Sequence, residues 1–159
     1  MSAWTLRPAE ARDIPEVRRL VRGLAEYEKL VHLATATEAD FARVLFGPRP
    51  LGHAVLAEIE DRAVGLALWY FTLSTFTCRP HLFIEDVFVE PAFRKNGIGY
   101  ALFRHLAGVA VDENCGGMEW RVLNWNAPAL AFYRRIGAKP VTDWTTQELR
   151  GDALAALAK

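Results

Sequence analysis

The spacing of apolar residues over the first third of the chain predicts one strand followed by two helices. Residues 4–9 read as a short strand, WTLRPA. Asp13 is a plausible N-cap for a helix that ends within the segment EYEKL, because apolar residues recur behind it at helical spacing and a proline occupies its first turn. Thr37 and Asp40 approximate a capping box, and they predict a second, shorter helix that closes at Gly47.

Apolar runs in the middle of the chain predict mainly strands. Residues 53–60 and 63–73 flank a short turn and predict a hairpin, and the run at 81–89 is apolar enough for a strand that is buried on both faces. The later segments alternate between helical and strand periodicity. They predict a helix that runs to about Asp112, a strand over 117–123, a helix over 127–137 that stops at Gly137, and a last strand over 143–149.

The predicted elements follow the order strand, two helices, three strands, helix, strand, helix, strand. This mixture predicts an α/β (α+β) protein in which helices flank a central sheet. The chain has 159 residues and carries no internal repeat, low-complexity segment or linker. We therefore expect a single domain over residues 1–159.

Composition and charge restrict the partners. Apolar residues make up 52% of the chain and the formal net charge is zero, so we expect a folded protein without the global field that recruits nucleic acid or anionic membranes. The first residues lack the apolar run of a signal peptide, and no stretch approaches the roughly eighteen apolar residues of a membrane span. We expect a cytoplasmic protein with no nucleic-acid and no membrane partner.

The cysteines and histidines do not form a recognisable ligand pattern. Cys78 and Cys115 lie far apart in the sequence and lack metal-ligand spacing, and the four histidines are scattered. We expect unpaired thiols and no metal site.

A glycine turn, RKNGIGY, separates the strand at 81–89 from the helix behind it. A strand that leads through such a turn into a helix points backbone N–H groups and the positive end of the helix dipole into the loop, where phosphate is the usual occupant. Gly97 and Gly99 let the main chain approach phosphate oxygens, and Arg94 and Lys95 add positive charge.

Two nucleotide fingerprints fail to match this turn. In a Rossmann motif a glycine would stand where Leu102 is, and no Walker string occurs in the chain. An ordinary helix start, in which the glycines only satisfy turn geometry, stays open as the alternative.

Two consecutive carboxylates, Glu85 and Asp86, lie inside the apolar strand at 81–89. Burying unpaired charge is costly, so their presence requires an explanation. Strand alternation sends the two side chains to opposite faces unless a bulge intervenes. A structural explanation, in which both pair with arginines at a strand end, and a functional one are both open at this point.

Four ordered segments resemble a known family. RKNGIG is similar to the R-x-x-G-x-G/A loop that binds the pyrophosphate of acyl-CoA in the GNAT superfamily of N-acetyltransferases. The segments GLAEYEKL, GLALWYFTL, FIEDVFVEPAFRKNGIG and VLNWNAPALAFYRRIGA resemble, in order and spacing, the spermidine/spermine (diamine) and thialysine acetyltransferase branch. The resemblance covers nearly the whole chain, and it implies a mixed, splayed, mostly antiparallel central sheet flanked by helices.

The resemblance implies acetyl-CoA as co-substrate. It assigns the oxyanion and the pantetheine arm to main-chain groups where adjacent strands diverge. The cofactor-binding residues that it implies are Val87, Phe88, Val89, Arg94, Lys95, Asn96, Gly97, Ile98, Gly99, Tyr100, Asn126 and Ala129.

The resemblance also implies two catalytic residues. An ammonium group has no lone pair with which to attack a thioester, so a base must accept its proton, and Glu85 takes that role through water. The departing thiolate needs a proton, and Tyr133, seven residues after the candidate N-cap Asn126, is the general acid. Neither cysteine matches a motif position, so we expect direct attack of the amine on the acetyl group in a ternary complex.

The acceptor is expected to be the primary amine of a small cationic molecule. The resemblance places Tyr27, Glu28, Glu85, Asp86, Trp120 and Arg121 at the substrate. Carboxylates at both ends of a pocket favour a di- or polyamine, whereas Arg121 can pair with the carboxylate of a thialysine- or lysine-like amino acid. The sequence favours small primary amines, including lysine-like amino acids, as the acceptor.

Two other functions compete with this reading. One is a regulatory module that binds acetyl-CoA without transferring the acetyl group, and the other is a protein or peptide N-acetyltransferase with an open groove. The resemblance further implies a homodimer, in which Trp144, the last strand and a small helix at 152–158 exchange between subunits.

Overall fold

The computed structural model describes residues 3–159, which divide into two compact units. The larger unit ends at Arg121 and the smaller unit begins at Val122. The larger unit holds β1 (Thr5–Pro8), α1 (Ile14–Glu28), α2 (Glu38–Phe46), β2 (His53–Ile59), β3 (Arg62–Ser74), β4 (Arg79–Val89), α3 (Ile98–Asp112) and β5 (Met118–Trp120). The smaller unit holds α4 (Ala127–Arg135) and α5 (Gly151–Leu157).

The five strands form one sheet in the order β1-β2-β3-β4-β5. The pairings from β1 to β4 are antiparallel, and β4 pairs with β5 in parallel. The parallel pairing joins only Leu82, Phe83 and Ile84 to β5, although β4 continues to Val89. The expected mixed, mostly antiparallel sheet with flanking helices is confirmed.

The first helix packs its apolar stripe onto one face of the sheet. Val17 and Leu20 are fully buried and lie in one cluster with Leu66, Leu68 and Phe88 from β3 and β4. Because side chains alternate along a strand, these sheet residues define one face, which we call the α1 face.

The third helix packs on the opposite face. Ile98, Leu102 and Leu106 are fully buried there. Gly65 makes the close approach possible, since a Cβ at this position would lie 3.3 Å from both the Ala57 Cβ and the Ile98 Cγ2. The start of α3 is thereby held against the centre of the sheet.

Helix caps follow the sequence with one exception. Thr37 and Asp40 form the predicted reciprocal capping box of α2. Asp13 precedes α1 as predicted, but its side chain does not cap that helix. Its carboxylate instead accepts hydrogen bonds from Arg7 at 2.6 and 2.9 Å and from the backbone N–H of Glu10 at 2.7 Å. A charge-assisted bidentate pair is stronger than a single cap, so the arginine captures this carboxylate.

The smaller unit contains two helices joined by a segment without regular secondary structure. Gly137 adopts the left-handed conformation, with φ of 86°, just beyond α4, as predicted for a helix stop. The small helix predicted at 152–158 corresponds to α5. The predicted last strand over 143–149 is wrong, because these residues form no strand in the structure. A strand requires a hydrogen-bonded neighbour, and local periodicity does not reveal whether one exists.

Candidate active site

A β-bulge in β4 lies at the two consecutive carboxylates. Leu68 pairs with Asp86 and the next residue, Trp69, pairs with Ile84, so Glu85 is the extra residue of β4. A bulge interrupts the alternation of side chains, and Glu85 and Asp86 therefore both project on the α1 face. Their mutual electrostatic interaction, and that of Asp86 with Glu28 at the end of α1, agree with this placement.

The environment of Asp86 disfavours its charged form. Burial, followed by the negative charges of Glu85 and then Glu28, raises the pKa of Asp86 to about 7. Within the described part of the larger unit, neither Glu85 nor Asp86 lies within 4.0 Å of a lysine or arginine nitrogen. The explanation in which both carboxylates pair with arginines is therefore wrong for this unit.

Tyr70 and Arg121 border the carboxylates on the same face. The Tyr70 ring lies 5.1 Å from the Phe83 ring, and the Arg121 guanidinium carbon lies 5.4 Å from the centroid of that ring. Burial and the neighbouring charge of Glu85 raise the pKa of Tyr70, whereas Arg121 lowers it. Sequence reasoning missed Tyr70, since only the register of β3 against β4 brings it beside Glu85.

Helix α1 ends beside these groups. Lys29 adopts the left-handed conformation, with φ of 62°, directly after Glu28. Burial raises the pKa of Glu28, so its carboxylate lies where water is restricted. Tyr27 contacts the glycine turn, because the Arg94 guanidinium carbon lies 4.6 Å from the centroid of its ring.

Trp120 lies on the other face of the sheet. It pairs with Ile84 in the parallel ladder, and its ring meets the edge of the Phe103 ring of α3 at 5.2 Å. The predicted acceptor residues Tyr27, Glu28, Glu85, Asp86 and Arg121 lie at or beside the α1 face, whereas the Trp120 ring packs against α3.

The glycine turn leads into α3 with its main chain accessible. Gly97 has φ of 81° and is the N-cap of α3. A Cβ added at Gly97 or Gly99 would meet no atom within 4 Å. The first hydrogen bond of the helix runs from the Ala101 N–H to the Gly97 carbonyl, so the preceding N–H groups, at Ile98, Gly99 and Tyr100, are free of intrahelical bonds.

Side-chain hydrogen bonds hold the turn. The Arg94 Nε donates to the Val89 carbonyl at 2.9 Å, and the Asn96 side-chain amide donates to the Phe93 carbonyl at 3.4 Å. The Trp4 indole N–H donates to the Asn96 carbonyl at 3.0 Å. Lys95 adopts the left-handed conformation with φ of 66°.

The end of β4 adjoins this turn. Val87, Phe88 and Val89 pair with β3 on one side, while the pairing of β4 with β5 stops at Ile84. The Phe88 side chain is buried against Gly23 of α1, where an added Cβ would lie 3.0 Å from its ring. These three residues thus lie between the bulge and the glycine turn.

The smaller unit carries the remaining predicted site residues. Asn126 is buried and caps α4, as predicted: its side-chain oxygen accepts from the Ala129 N–H at 3.3 Å. Tyr133 lies two turns further along the same helix, with its ring 5.7 Å from the Phe132 ring.

A glycine turn at a helix start and an acidic bulge in the preceding strand are the main features of the candidate site in the larger unit. The model of the acetyltransferase (GNAT) family matches residues 16–138. The chain belongs to this family and is an N-acetyltransferase. The family resemblance drawn from the four sequence segments is confirmed.

Individual relatives cover different shares of the chain. The thialysine N-epsilon-acetyltransferase of Mus musculus is 33% identical, covering 99% of this chain and 99% of its own. The spermidine/spermine N(1)-acetyltransferase-like protein 1 of Homo sapiens is 34% identical over 87% of this chain but only 21% of its own length. The solved structure of an integron cassette protein from the mobile metagenome of V. cholerae superposes with a TM-score of 0.83 at 26% identity, covering 100% of this chain and 99% of its own.

No helix among residues 3–159 combines the length and apolar character needed to cross a membrane.

Proposed function

We propose that this enzyme transfers the acetyl group of acetyl-CoA to the primary amine of a small cationic acceptor by direct attack in a ternary complex. The observation that carries this proposal is the bulge that brings Glu85 and Asp86 together on the α1 face, with Glu28 near them. Glu28 and Asp86 are partly buried and Glu85 is exposed beside them. These three carboxylates favour a cationic ligand, because a bound cation offsets their mutual repulsion.

The glycine turn fits the pyrophosphate of acetyl-CoA. Gly97 and Gly99 leave open space where side chains would otherwise stand, and the free N–H groups at the start of α3 favour an anion. The residues proposed to hold the co-substrate in the larger unit are Val87 to Val89 by their main chain and Arg94 to Tyr100. Asn126 and Ala129 of the smaller unit are also proposed as co-substrate residues, as the family resemblance implies.

Glu85 is the proposed proton acceptor, and Asp86 the residue that binds the incoming ammonium. Asp86 has a pKa of about 7, so near neutral pH it exists partly as carboxylate and partly as acid. Binding of a cation shifts it toward carboxylate. Glu85 then takes the proton of the amine through water, which leaves a lone pair on the nitrogen for attack on the acetyl carbon.

Tyr133 is the proposed general acid that gives a proton to the departing thiolate. The family match runs from residue 16 to residue 138 and therefore crosses the boundary between the two units. This continuity supports a single functional domain over residues 1–159.

The acceptor that we favour is an amino acid with a side-chain amine, such as a lysine analogue. Glu28, Glu85 and Asp86 suit the side-chain ammonium, and Arg121, on the Phe83 ring, suits the α-carboxylate. Tyr27 and Trp120 are proposed further contacts. The similarity to a thialysine N-epsilon-acetyltransferase over the full chain supports this acceptor, whereas the human relative supports a di- or polyamine.

The assembly and location follow the family expectation. We propose a cytoplasmic homodimer without nucleic-acid or membrane partners.

Thiol release from acetyl-CoA tests the activity directly. The acceptor panel is spermidine, putrescine, thialysine, lysine, an aminoglycoside and a histone-tail peptide, with Tyr133→Phe measured in parallel. We expect turnover with thialysine and a loss of kcat of about 100-fold in Tyr133→Phe. Thr146→Val, which removes the hydroxyl of an exposed residue outside both proposed binding sets, is the control and should keep its kcat.

Two outcomes would redirect the proposal. Turnover of the peptide alone would indicate a protein or peptide N-acetyltransferase. Tight binding of acetyl-CoA by calorimetry without transfer to any amine would indicate a regulatory module.

A further inference from the structure

We propose that Trp4 is a positioning residue for the glycine turn: its indole N–H holds the Asn96 carbonyl and thereby sets the direction of the Gly97 N–H toward the co-substrate. The hydrogen bond measures 3.0 Å and joins residues 92 positions apart in the sequence. This inference rests on the proposed binding of acetyl-CoA at the turn.

The geometry of the peptide bond links the two groups. In a planar trans peptide, the carbonyl of one residue and the N–H of the next point in opposite directions. Fixing the Asn96 carbonyl toward Trp4 therefore fixes the Gly97 N–H toward the other side of the turn. The open space at Gly97 leaves that N–H accessible to a phosphate oxygen.

This peptide group needs an external anchor. Lys95 and Gly97, on either side of Asn96, both have positive φ, at 66° and 81°. A glycine after the peptide lets the plane rotate with little steric penalty, since there is no Cβ to oppose it. Such a rotation would exchange the carbonyl and the N–H and present a negative dipole to the co-substrate.

The other contacts of the turn do not restrain this group. The Arg94 Nε binds the Val89 carbonyl, and the Asn96 side chain binds the Phe93 carbonyl. Both act on the N-terminal half of the turn. Among residues 3–159, the hydrogen bond from Trp4 is the contact that reaches the peptide between Asn96 and Gly97.

The surroundings of Trp4 permit a clean substitution. Trp4 lines an open groove of about 390 Å³ against α3, together with Leu6, Ala101, Arg104, His105, Gly108, Val109 and Asp112. One side of the indole borders this groove and not the core. Trp4→Phe can therefore keep an aromatic ring in place while it removes the indole nitrogen, the only polar atom of the Trp4 side chain. Val109→Ala alters the same groove without touching a hydrogen bond to the turn, and it is the matched control.

Steady-state kinetics of Trp4→Phe test the inference. Loss of one hydrogen bond predicts a KM for acetyl-CoA and a Kd for coenzyme A that rise about threefold to tenfold. The kcat at saturation and the KM for the amine should stay at wild-type values, as should all constants of Val109→Ala. S-acetyl-pantetheine, which lacks the pyrophosphate, should be used equally by wild type and Trp4→Phe.

Results that contradict the role of Trp4 differ from results that contradict the proposed function. A normal KM and Kd in Trp4→Phe, or equal losses with acetyl-CoA and S-acetyl-pantetheine, would overturn the positioning role while the enzyme stays an acetyltransferase. A wild-type protein that binds no coenzyme A and does not use acetyl-CoA would overturn the proposed function and this inference together.

Discussion

Glu85 and Asp86 are neighbours in β4 whose side chains share one face of the sheet, because the bulge between the Leu68–Asp86 and Trp69–Ile84 pairs leaves Glu85 without a cross-strand partner in β3. A regular strand would separate them by the thickness of the sheet. The bulge thus converts two adjacent residues into one acidic site. Burial, followed by the charge of Glu85 that the bulge brings close, raises the pKa of Asp86.

Activity should rise with pH through about 7 in the wild type. Below that pH Asp86 is protonated and neither attracts an ammonium nor supports proton transfer, whereas above it the carboxylate is present. In Asp86→Asn the step near neutrality should disappear and kcat/KM for the amine should fall about tenfold to 100-fold. The measurement is the pH profile of kcat/KM, whose apparent pKa belongs to the carboxylate pair rather than to one residue.

Glu28→Gln provides the control for that profile. It removes the more weakly acting negative charge near Asp86, so the step should persist and move to lower pH. A wild-type profile without any step between about pH 6 and pH 8 would contradict the assignment.

The substitution Asp86→Asn should also stabilise the fold. The folded-state pKa of Asp86 is raised above its unfolded value, so the ionised group destabilises the fold, with no penalty below the unfolded pKa and the full penalty above about pH 7. Asp86→Asn should therefore raise the free energy of unfolding by about 1–2 kcal/mol at alkaline pH, with less gain as the pH falls toward 4. Urea unfolding at several pH values measures this difference. A gain that is equal at all pH values would show that packing, not charge, is responsible.

Arg121 should decide between acceptors. If its guanidinium binds a substrate carboxylate, Arg121→Leu should lower kcat/KM for thialysine about tenfold to 100-fold and leave putrescine, which has no carboxylate, within about twofold. Arg104→Leu removes an arginine of α3 and is the matched control. Equal losses on both acceptors would assign Arg121 a structural role on the Phe83 ring.

The ionised carboxylate of Asp13 should stabilise the fold at neutral pH, and this stabilisation should be lost at acidic pH. Arg7 lowers the pKa of Asp13 through two hydrogen bonds, and Asp13 is only 7% exposed. A depressed folded-state pKa contributes stability that is present above the unfolded value and is lost as the pH falls through the folded one. Asp13→Asn should lower the free energy of unfolding by about 1–3 kcal/mol at pH 7, with the difference shrinking below about pH 4.

Arg43→Met is the control for that experiment. Its ion pair with Asp40 is exposed, so the substitution should cost less than about 0.5 kcal/mol. A loss in Arg43→Met as large as that in Asp13→Asn would show that burial of the pair is not what matters.

The sequence predicts local features of this protein better than pairwise ones. The caps at Thr37 and Asn126 and the stop at Gly137 depend on a few adjacent residues, and the structure has all three. The strand expected over 143–149 failed because strand formation depends on a distant partner. Asp13 was expected to cap α1, but Arg7 and Glu10 take its carboxylate.

In the candidate site, too, the sequence predicts local features better than features that depend on distant residues. The sequence places an acidic pair within a strand, but it does not reveal on which face each member lies, because a bulge depends on the register between β3 and β4. Tyr70 was missed for that reason. Trp120 and Arg121 are neighbours in sequence, and the structure turns the ring of Trp120 toward Phe103 and the guanidinium of Arg121 toward Phe83.

The bond between Trp4 and Asn96 has a consequence for biosynthesis and for handling the protein. Trp4 emerges from the ribosome long before Asn96 is synthesised. The turn therefore acquires this anchor only after most of the larger unit has been translated. Closing so long a loop is entropically costly, and β1 is an edge strand whose backbone pairs with β2. A purification tag fused directly ahead of Trp4 would act on this late contact, and a C-terminal tag avoids it.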